Sequence, residues 1–133
     1  MKTAFADTFY FLALLDSREK RHHAAIAASR DTALRIMTTE WILVEFGDAY
    51  CDPKDRPDFI AVYRSLMVHP RVKIVCSSAQ LFERGVEFFD KRADKKWSLT
   101  DCLSFVVMQE EGIREALTGD RDFEQAGFVA LFK

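Results

Sequence analysis

The sequence predicts an α/β protein of three layers, in which helices cover both faces of a mainly parallel central sheet. Short apolar or β-branched segments alternate with segments of helical periodicity along the whole chain, and strands separated by helices pair in parallel. The chain has 133 residues, of which 49% are hydrophobic and 30% charged. This length is enough for one folded core and too short for two ordinary domains. We therefore expect residues 1–133 to form a single domain.

The first half of the chain contains the signals for two strands and four helices. Thr39 can cap a helix that reaches about Tyr50, and Pro57 suits the first turn of the next helix. The other predicted segments are a strand at 2–6, helices at 9–16 and 22–29, and a strand at 35–38. In the helix after Pro57, helical spacing gives an apolar stripe of Phe59, Val62, Tyr63, Leu66 and Met67.

The second half contains three strand signals and three helix signals. The segment "RVKIVCS" predicts a strand by its β-branched alternation, and "EALTG" and "FVALF" predict two more. A helix begins at Ser98 or Thr100, runs through Gln109 and is ended by Gly112. The remaining helices are an amphipathic one with Phe82, Val86, Phe89 and Ala93 on its apolar face, and a short one at 122–126.

Charge and cysteine content restrict the class of protein. A net charge of −2 argues against binding nucleic acid by bulk electrostatics alone, although a bound cation could bring phosphate to an acidic pocket. The basic stretches "SREKRHH" and "DKRADKK" are, taken alone, ordinary solvated surface. Cys51, Cys76 and Cys102 include no CxxC pair, so we expect buried free thiols in a reducing cytoplasm rather than a zinc site. No apolar run is long enough for a membrane span.

Four acids stand in or beside apolar segments, where an unpaired carboxylate is costly. They are Asp7, Glu45, Asp101 and Asp120. Asp7 and Asp120 follow predicted strands, and the carboxyl ends of parallel strands share one edge of the sheet, where binding sites collect. Each acid also has an ordinary explanation, respectively a surface strand end, a solvated helix face, a helix-start acid and a turn.

Two further acids leave the set open. Asp48 lies three residues after Glu45, and the sequence does not separate the two. Asp122 follows Asp120 closely, and we expect it to cap the short helix that begins there. Converging carboxylates repel one another and raise one another's pKa values, and a hard divalent cation with oxygen ligands relieves that repulsion. His22, His23 and His69 form no metal-binding spacing.

The order of these acids resembles the acidic quartet of the PIN-domain ribonucleases, especially the VapC-type toxins of bacterial toxin–antitoxin pairs. The matching stretches are "FADT", "TTEWILVEF", "LTDCLSFVVM" and "LTGDRDFEQAGF", with "HHAA" similar to a His-rich segment of the second helix. The resemblance implies a PIN-like fold and metal-dependent endonucleolytic cleavage of RNA.

The resemblance also assigns roles. Asp7, Glu45, Asp101 and Asp120 would be catalytic and would hold Mg²⁺ or Mn²⁺, with Asp7 and Asp101 the direct ligands. Thr118 would orient Asp120, Thr8 matches a small hydroxyl residue, and Asp122 is an optional fifth acid; Phe9 departs from the small polar residue expected at its position. A cognate antitoxin, a homodimer and a docking surface in "FYFLALL" are implied as well, the last segment being equally compatible with a core helix.

Three other interpretations compete with a toxin. A phosphorelay receiver needs paired acids after its first strand and an acid after a central one, and "KIVCSSAQ" supplies none; a nucleotide-binding domain lacks a glycine-rich phosphate loop. A PIN-like binding subunit without activity would keep the fold, but the complete quartet argues against lost chemistry. A housekeeping RNA-processing nuclease would share the site and differ in substrate and partner.

Overall fold

The computed structural model describes residues 1–133 as five strands and seven helices. The strands are β1 Lys2–Ala6, β2 Leu34–Thr39, β3 Val72–Val75, β4 Glu115–Leu117 and β5 Val129–Ala130. The helices are α1 Thr8–Leu15, α2 His22–Arg30, α3 Glu40–Ala49, α4 Arg56–Val68, α5 Ala79–Lys91, α6 Leu99–Glu111 and α7 Arg121–Gln125. Every predicted element is present, and the ends differ from the predicted ones by at most two residues.

The five strands form one sheet in the order β3-β2-β1-β4-β5, and each neighbouring pair is parallel. In the central strand, Phe5 lies opposite Met37 of β2 on one side and Ala116 of β4 on the other. Because the strands are parallel, their carboxyl ends share one edge, which we call the carboxyl edge, and their beginnings share the amino edge. None of the helices is both long and apolar enough to cross a lipid bilayer.

The helices form two groups, each with its own aromatic packing. Helix α1 packs on both α2 and α3, α3 packs on α4, and α6 packs on both α5 and α7. In the first group the rings of Phe11 and Phe46 stack with centroids 5.0 Å apart. In the second group Phe105 meets Phe123 edge to face at 4.9 Å. The predicted three-layer α/β/α architecture with a parallel sheet is confirmed.

The face that α5 buries differs from the predicted one. Gly85 and Phe88 contact α6, and Leu81 is buried. Phe82, Val86 and Phe89 are exposed, and Ala93 lies beyond the helix. A Cβ at Gly85 would lie 2.3 Å from Leu103 Cδ2, so the missing side chain permits the close approach of α5 to α6. The two apolar stripes are adjacent on one helix, and periodicity alone does not distinguish them.

The predicted stripe of α4 is only partly buried. Phe59, Val62 and Leu66 pack against the core, but Tyr63 is 37% and Met67 58% exposed. Helix α4 lies on the outside of the molecule and contains no fully buried residue. These exposed side chains line a groove between α3 and α4.

The predicted helix ends are confirmed, and the prediction for the cysteines is wrong at two positions. Thr39 Oγ1 accepts a hydrogen bond from the Ile42 amide at 3.2 Å, and Gly112 ends α6 with a φ of +67°, a conformation that favours glycine. All three cysteines are free, but only Cys102 is buried. Cys51 follows the end of α3 and Cys76 the end of β3. Both lie in loop segments at the surface, where their thiols are exposed.

Candidate active site

Asp7 lies at the carboxyl edge, directly after the central strand β1, and is 6% exposed. Although Asp7 occupies the position before α1, its side chain does not cap that helix. Its Oδ2 instead accepts a hydrogen bond of 2.9 Å from Thr118 Oγ1. The shielded position expected for Asp7 is therefore confirmed, and its carboxylate is held toward the neighbouring strand β4.

Thr118 connects two of the predicted acids. This fully buried residue follows β4, and its hydroxyl, which donates to Asp7, accepts a hydrogen bond of 3.1 Å from the Asp120 amide. Asp120 Oδ1 in turn accepts from the Asp122 amide at 2.9 Å and so caps α7. The expectation that Asp122 is the cap is wrong, because Asp120 holds the extended conformation that a cap residue requires.

Asp101, Asp120 and Asp122 form the closest cluster of acids, here named the acidic trio. Each offers one carboxylate oxygen, and the three oxygens lie within 4.8 Å of one another. Asp101 is held by a capping box at the start of α6: its Oδ2 accepts from the Ser98 amide at 3.4 Å, and its own amide donates to Ser98 Oγ at 3.0 Å. Asp101 is thus both a helix-start acid and a member of the cluster, because the cap fixes its carboxylate.

Glu45, rather than Asp48, faces this region. Thr8 Oγ1 donates a hydrogen bond to Glu45 Oε1, which connects α3 to the residue after Asp7. The charge of Glu45 also contributes to the raised pKa of Asp7. Asp48 instead lines the groove between α3 and α4. The structure therefore separates the two acids that the sequence leaves open.

The acids of the carboxyl edge repel one another. Burial raises the pKa of Asp7 from 3.8 to about 6, with smaller contributions from the charges of Glu45 and Asp120 and opposing hydrogen bonds from Thr118 and Thr8. Burial also raises the pKa of Asp101 from 3.8 to about 7, followed by the charges of Asp7 and Asp120. None of the chain's six ion pairs includes any of these acids. The carboxylates of this edge therefore converge without an ion-pair partner.

Comparison with known proteins identifies the family to which this chain belongs. The family model described as "PIN domain" matches residues 4–129, which is nearly the whole chain and includes all five acids. The chain belongs to the PIN-domain family. The family expected from the sequence, the PIN-domain ribonucleases with their VapC-type members, is confirmed.

Two curated relatives of this PIN domain are named 23S rRNA-specific endonuclease VapC20, from two strains of Mycobacterium tuberculosis. Each is 30% identical over 130 residues, covering 96% of both chains. The solved structure of Mycobacterium tuberculosis VapC20, titled a sarcin–ricin loop cleaving toxin, matches with a TM-score of 0.85 and 26% identity over 98% of this chain and 99% of that one. The VapBC2 structure from Rickettsia felis, bound to promoter DNA, matches at 12% identity with a TM-score of 0.66 over 96% of both chains, which shows the fold alone.

The residues of this PIN domain fit a divalent cation. Every donor of the acidic trio is a carboxylate oxygen, the ligand type that Mg²⁺ and Mn²⁺ prefer. The elevated pKa values of Asp7 and Asp101 show an electrostatic cost that a cation in this cluster would relieve. The histidine that begins the second helix is engaged elsewhere, since His22 Nδ1 lies 2.8 Å from the Ala13 carbonyl oxygen in the last turn of α1.

Phe9 packs against the loop that carries Asp120. A Cβ at Gly119 would lie 2.8 Å from the ring of Phe9, and the Phe9 and Phe132 ring centroids are 6.3 Å apart. This position therefore supplies apolar packing instead of the polar contact common in the family. In the "FYFLALL" segment most of the helix is core, since Tyr10, Phe11 and Ala13 are buried.

Sequence reasoning underestimated Asp122. The signal was present in "TGDRD", where two acids two residues apart stand at a helix start. Turn and cap statistics favour either residue as the cap, and only the backbone conformation decides between them. Of the predicted residues, the structure brings Asp101 and Asp120 into the trio with Asp122, and it places Asp7 and Glu45 beside it through Thr118 and Thr8.

Proposed function

We propose that this protein is a metal-dependent endoribonuclease that hydrolyses phosphodiester bonds in RNA at its carboxyl edge, as the toxin of a toxin–antitoxin pair. The observation that carries the proposal is the convergence of five acids without a protein cation in ion-pair contact. Membership of the PIN-domain family and likeness to VapC-type endonucleases support the same activity.

We assign the roles within the site as follows. Asp7, Asp101 and Asp120 would hold Mg²⁺ or Mn²⁺, Asp122 would support them, and Glu45 would complete the catalytic set. When bound, such a cation neutralises the carboxylates and stabilises negative charge on the scissile phosphate. Thr8 occupies Oε1 of Glu45, so Oε2 stays free to accept a proton from the attacking water.

Thr118 and Ser98 would act as positioning residues. The Thr118 hydroxyl joins the Asp7 carboxylate to the Asp120 amide, and Ser98 fixes Asp101 through the capping box. Both residues hold carboxylates that would otherwise move apart under mutual repulsion. A site held within a fraction of an ångström orients a reacting group better than a flexible one.

We propose large-subunit ribosomal RNA, in particular its sarcin–ricin loop, as the substrate. Support comes from the VapC20 relatives, whose names and solved structure state this target. A cognate antitoxin of the VapB type is the proposed partner, because the VapC-type family pairs with such proteins and a VapBC complex shares this fold.

We further propose that the protein is a homodimer that buries the apolar groove between α3 and α4. The groove has a volume of about 550 Å³, and four apolar side chains in it are exposed: Val44, Ile60, Tyr63 and Met67. Val44→Asp should convert a dimer to a monomer in light scattering. Val68→Asp is the matched control, since Val68 is 81% exposed and lies outside the groove. A monomeric wild type would refute the dimer.

The experiment that tests the activity compares the wild type with Asp101→Asn in EDTA, Mg²⁺ and Mn²⁺. The substrates are a sarcin–ricin hairpin, a hairpin of the same stem with a scrambled loop, and total RNA. Asp31→Asn is the matched control, because Asp31 is exposed, forms no ion pair and precedes β2 at the amino edge. We expect metal-dependent cutting by the wild type and the control, and none by Asp101→Asn.

The outcomes separate the competing functions. Cutting that is unaffected by Asp101→Asn would refute the proposed site. RNA binding without cutting under any metal would favour an inactive PIN-like binding subunit. Cutting of total RNA with no preference for the sarcin–ricin loop, together with no small antitoxin gene beside this one, would favour an RNA-processing nuclease.

A further inference from the structure

The segment that follows β5 is attached to the loop between β4 and α7, residues 118–120, here named the Asp120 loop. The Phe132 amide donates a hydrogen bond of 3.0 Å to the Thr118 carbonyl oxygen. A Cβ at Gly119 would lie 3.4 Å from the Phe132 carbonyl oxygen. Phe132 therefore lies against two successive residues of the loop that carries Asp120.

Phe132 is held in this position by its own side chain. The residue is 6% exposed, and its ring centroid lies 6.3 Å from that of Phe9 and 6.4 Å from that of Tyr10. The preceding strand, Val129–Ala130, has only two residues and pairs with β4 alone. Because so short an edge strand contributes few hydrogen bonds, burial of the aromatic ring is the larger contribution to this attachment.

Arg21 holds Phe132 from the first half of the chain. Its Nε donates a hydrogen bond of 2.5 Å to the Phe132 carbonyl oxygen, although the two residues are 111 positions apart. Arg21 immediately precedes α2, yet its side chain does not cap that helix, and a positive charge at the amino end of a helix is unfavourable. The contact with Phe132, and not the stability of α2, therefore explains an arginine at this position.

A continuous series of hydrogen bonds leads from Arg21 to the acids of the carboxyl edge. Arg21 donates to the carbonyl oxygen of Phe132, whose amide donates to the carbonyl oxygen of Thr118. The Thr118 hydroxyl donates to Asp7 and accepts from the Asp120 amide. Arg21 itself forms no ion pair with any acid, so its hydrogen-bonded route to the site runs through Phe132.

We propose that Arg21 and Phe132 form a latch that fixes the Asp120 loop and so positions Asp120 in the acidic trio. The proposal rests on the metal-dependent nuclease function proposed above and adds two positioning residues to it. The carboxylate oxygens of the trio lie within 4.8 Å of one another, and like charges at this distance favour separation until a cation binds. The latch opposes that separation, which leaves the trio preformed for the cation.

Arg21→Met tests the latch through the Mn²⁺ affinity of the metal-free protein, measured by calorimetry. The substitution removes the donor to Phe132, and we expect binding to weaken by about tenfold, the lower end of the effect of groups that hold metal ligands in place. Loss of a positive charge alone would strengthen cation binding, so the two effects have opposite signs. Arg21→Lys keeps a donor for one carbonyl oxygen and should restore most of the affinity.

The matched control removes the same charge from the neighbouring residue. Lys20 is exposed and takes part in no ion pair, so Lys20→Met should leave the Mn²⁺ affinity within experimental error of the wild type. Phe132→Leu keeps an apolar side chain but loses the ring contacts, and it should weaken binding as Arg21→Met does. Cleavage by both latch variants should fall at low Mn²⁺ and recover at saturating Mn²⁺, because the acids themselves are unchanged.

Hydrogen exchange measures the Asp120 loop without metal or RNA. The amides of Asp120 and Phe132 should exchange faster in Arg21→Met than in the wild type, because the hydrogen bonds of both amides depend on the latch. The Ile36 amide, which donates to the Arg71 carbonyl oxygen at 2.8 Å, is the internal control. It lies in β2, away from the latch, and should exchange at the wild-type rate.

Three outcomes would overturn the latch. They are an unchanged Mn²⁺ affinity in Arg21→Met, an equal loss of affinity in Lys20→Met, and unchanged exchange of the Asp120 amide. A lower urea midpoint of Arg21→Met with wild-type Mn²⁺ affinity would also contradict it, because Arg21 would then only stabilise the fold. A wild type that binds no Mn²⁺ or cuts no RNA contradicts the proposed function instead, and the exchange experiment still decides whether the latch exists.

Discussion

The two edges of the sheet differ in whether their charged side chains form ion pairs. At the amino edge, Lys2 of β1 and Glu115 of β4 form an ion pair with an N–O distance of 3.0 Å. At the carboxyl edge the same two strands lead into Asp7 and Asp120, which are joined through Thr118 and pair with no cation. The amino edge has an ion pair that joins its two central strands, whereas the acids of the carboxyl edge have no basic partner.

The contrast shows where this fold accepts a loss of stability for function. None of the six ion pairs includes an acid of the carboxyl edge, although the chain has 19 basic residues. Burial and repulsion instead raise the pKa values of Asp7 and Asp101. Strained electrostatics at one edge is typical of a binding or catalytic site.

The largest expected effect is on cleavage. Asp120→Asn should reduce kcat/KM by about a thousandfold, because it removes a proposed ligand of the cation, and lost stabilisation of charge in the transition state has a cost of this order. Glu115→Gln, the matched change at the amino edge, should alter it by less than about twofold. Cleavage of the sarcin–ricin hairpin in Mg²⁺ measures both. Retention of a tenth of the wild-type activity by Asp120→Asn would contradict the contrast between the edges.

The next effect is on stability without metal. The pKa of Asp7 is raised, so the folded state holds a proton that the unfolded chain has lost between pH 4 and 6. The free energy of unfolding in EDTA should therefore fall as the pH rises through this range. A shift from 3.8 to about 6 corresponds to a loss on the order of 3 kcal/mol. Asp101, whose pKa is about 7, extends the decline toward neutral pH.

Asp7→Asn tests directly whether the free energy of unfolding falls as the pH rises because Asp7 loses its proton. An amide stays neutral, so urea unfolding in EDTA should find this variant more stable than the wild type at pH 7 and equal to it at pH 4. Added Mn²⁺ should stabilise the wild type more than the variant. Asp31→Asn serves as the exposed control and should show neither difference. A variant less stable than the wild type at pH 7 would mark Asp7 as a structural residue.

A smaller effect is expected at the hydroxyl that joins the strands. Thr118→Val removes the donor to Asp7 and the acceptor for the Asp120 amide, so it should destabilise the protein by about 1–3 kcal/mol. Because the Thr118 hydrogen bond lowers the pKa of Asp7, the valine should raise it further. Thr118→Ser keeps the hydroxyl and is the control. Equal urea midpoints for valine and serine would contradict this role.

The smallest effect belongs to the amino edge. Lys2 and Glu115 have side chains that are 62% and 25% exposed, and a pair of this kind contributes about 0.2–1 kcal/mol. Lys2→Gln should therefore lower the free energy of unfolding by less than about 1 kcal/mol and lose even that effect in high salt. A larger change in the free energy of unfolding would contradict the small contribution expected for this ion pair and the contrast between the two edges.

Strand ends were the predictable part of the site. Asp7 and Asp120 follow apolar strands, and parallel pairing alone brings them to one edge. Asp101 was predictable from its apolar helix, and its capping box with Ser98 adds a second function to the same carboxylate. Local sequence contains these signals because burial and helix starts are local properties.

The remaining features depended on packing between distant segments. Glu45 and Asp48 differ only in which neighbour their helix face meets, and that neighbour is Thr8 for Glu45. Asp122 joins the trio because Asp120 takes the cap. The prediction of which face α5 buries was wrong, because the close contact with α6 is made at Gly85 and not at a large apolar residue. Such choices follow from tertiary contacts that periodicity does not contain.

The pairing of β1 with β4 also determines when the site can exist. Asp7 is synthesised well before Asp120 and Asp122, because β1 and β4 lie at distant positions of the chain. While β4 is still inside the exit tunnel of the ribosome, it is not free to pair with β1, and the acids remain apart. The complete acidic site therefore forms only once β4 has been made and has paired, and a chain that is interrupted before β4 lacks the site.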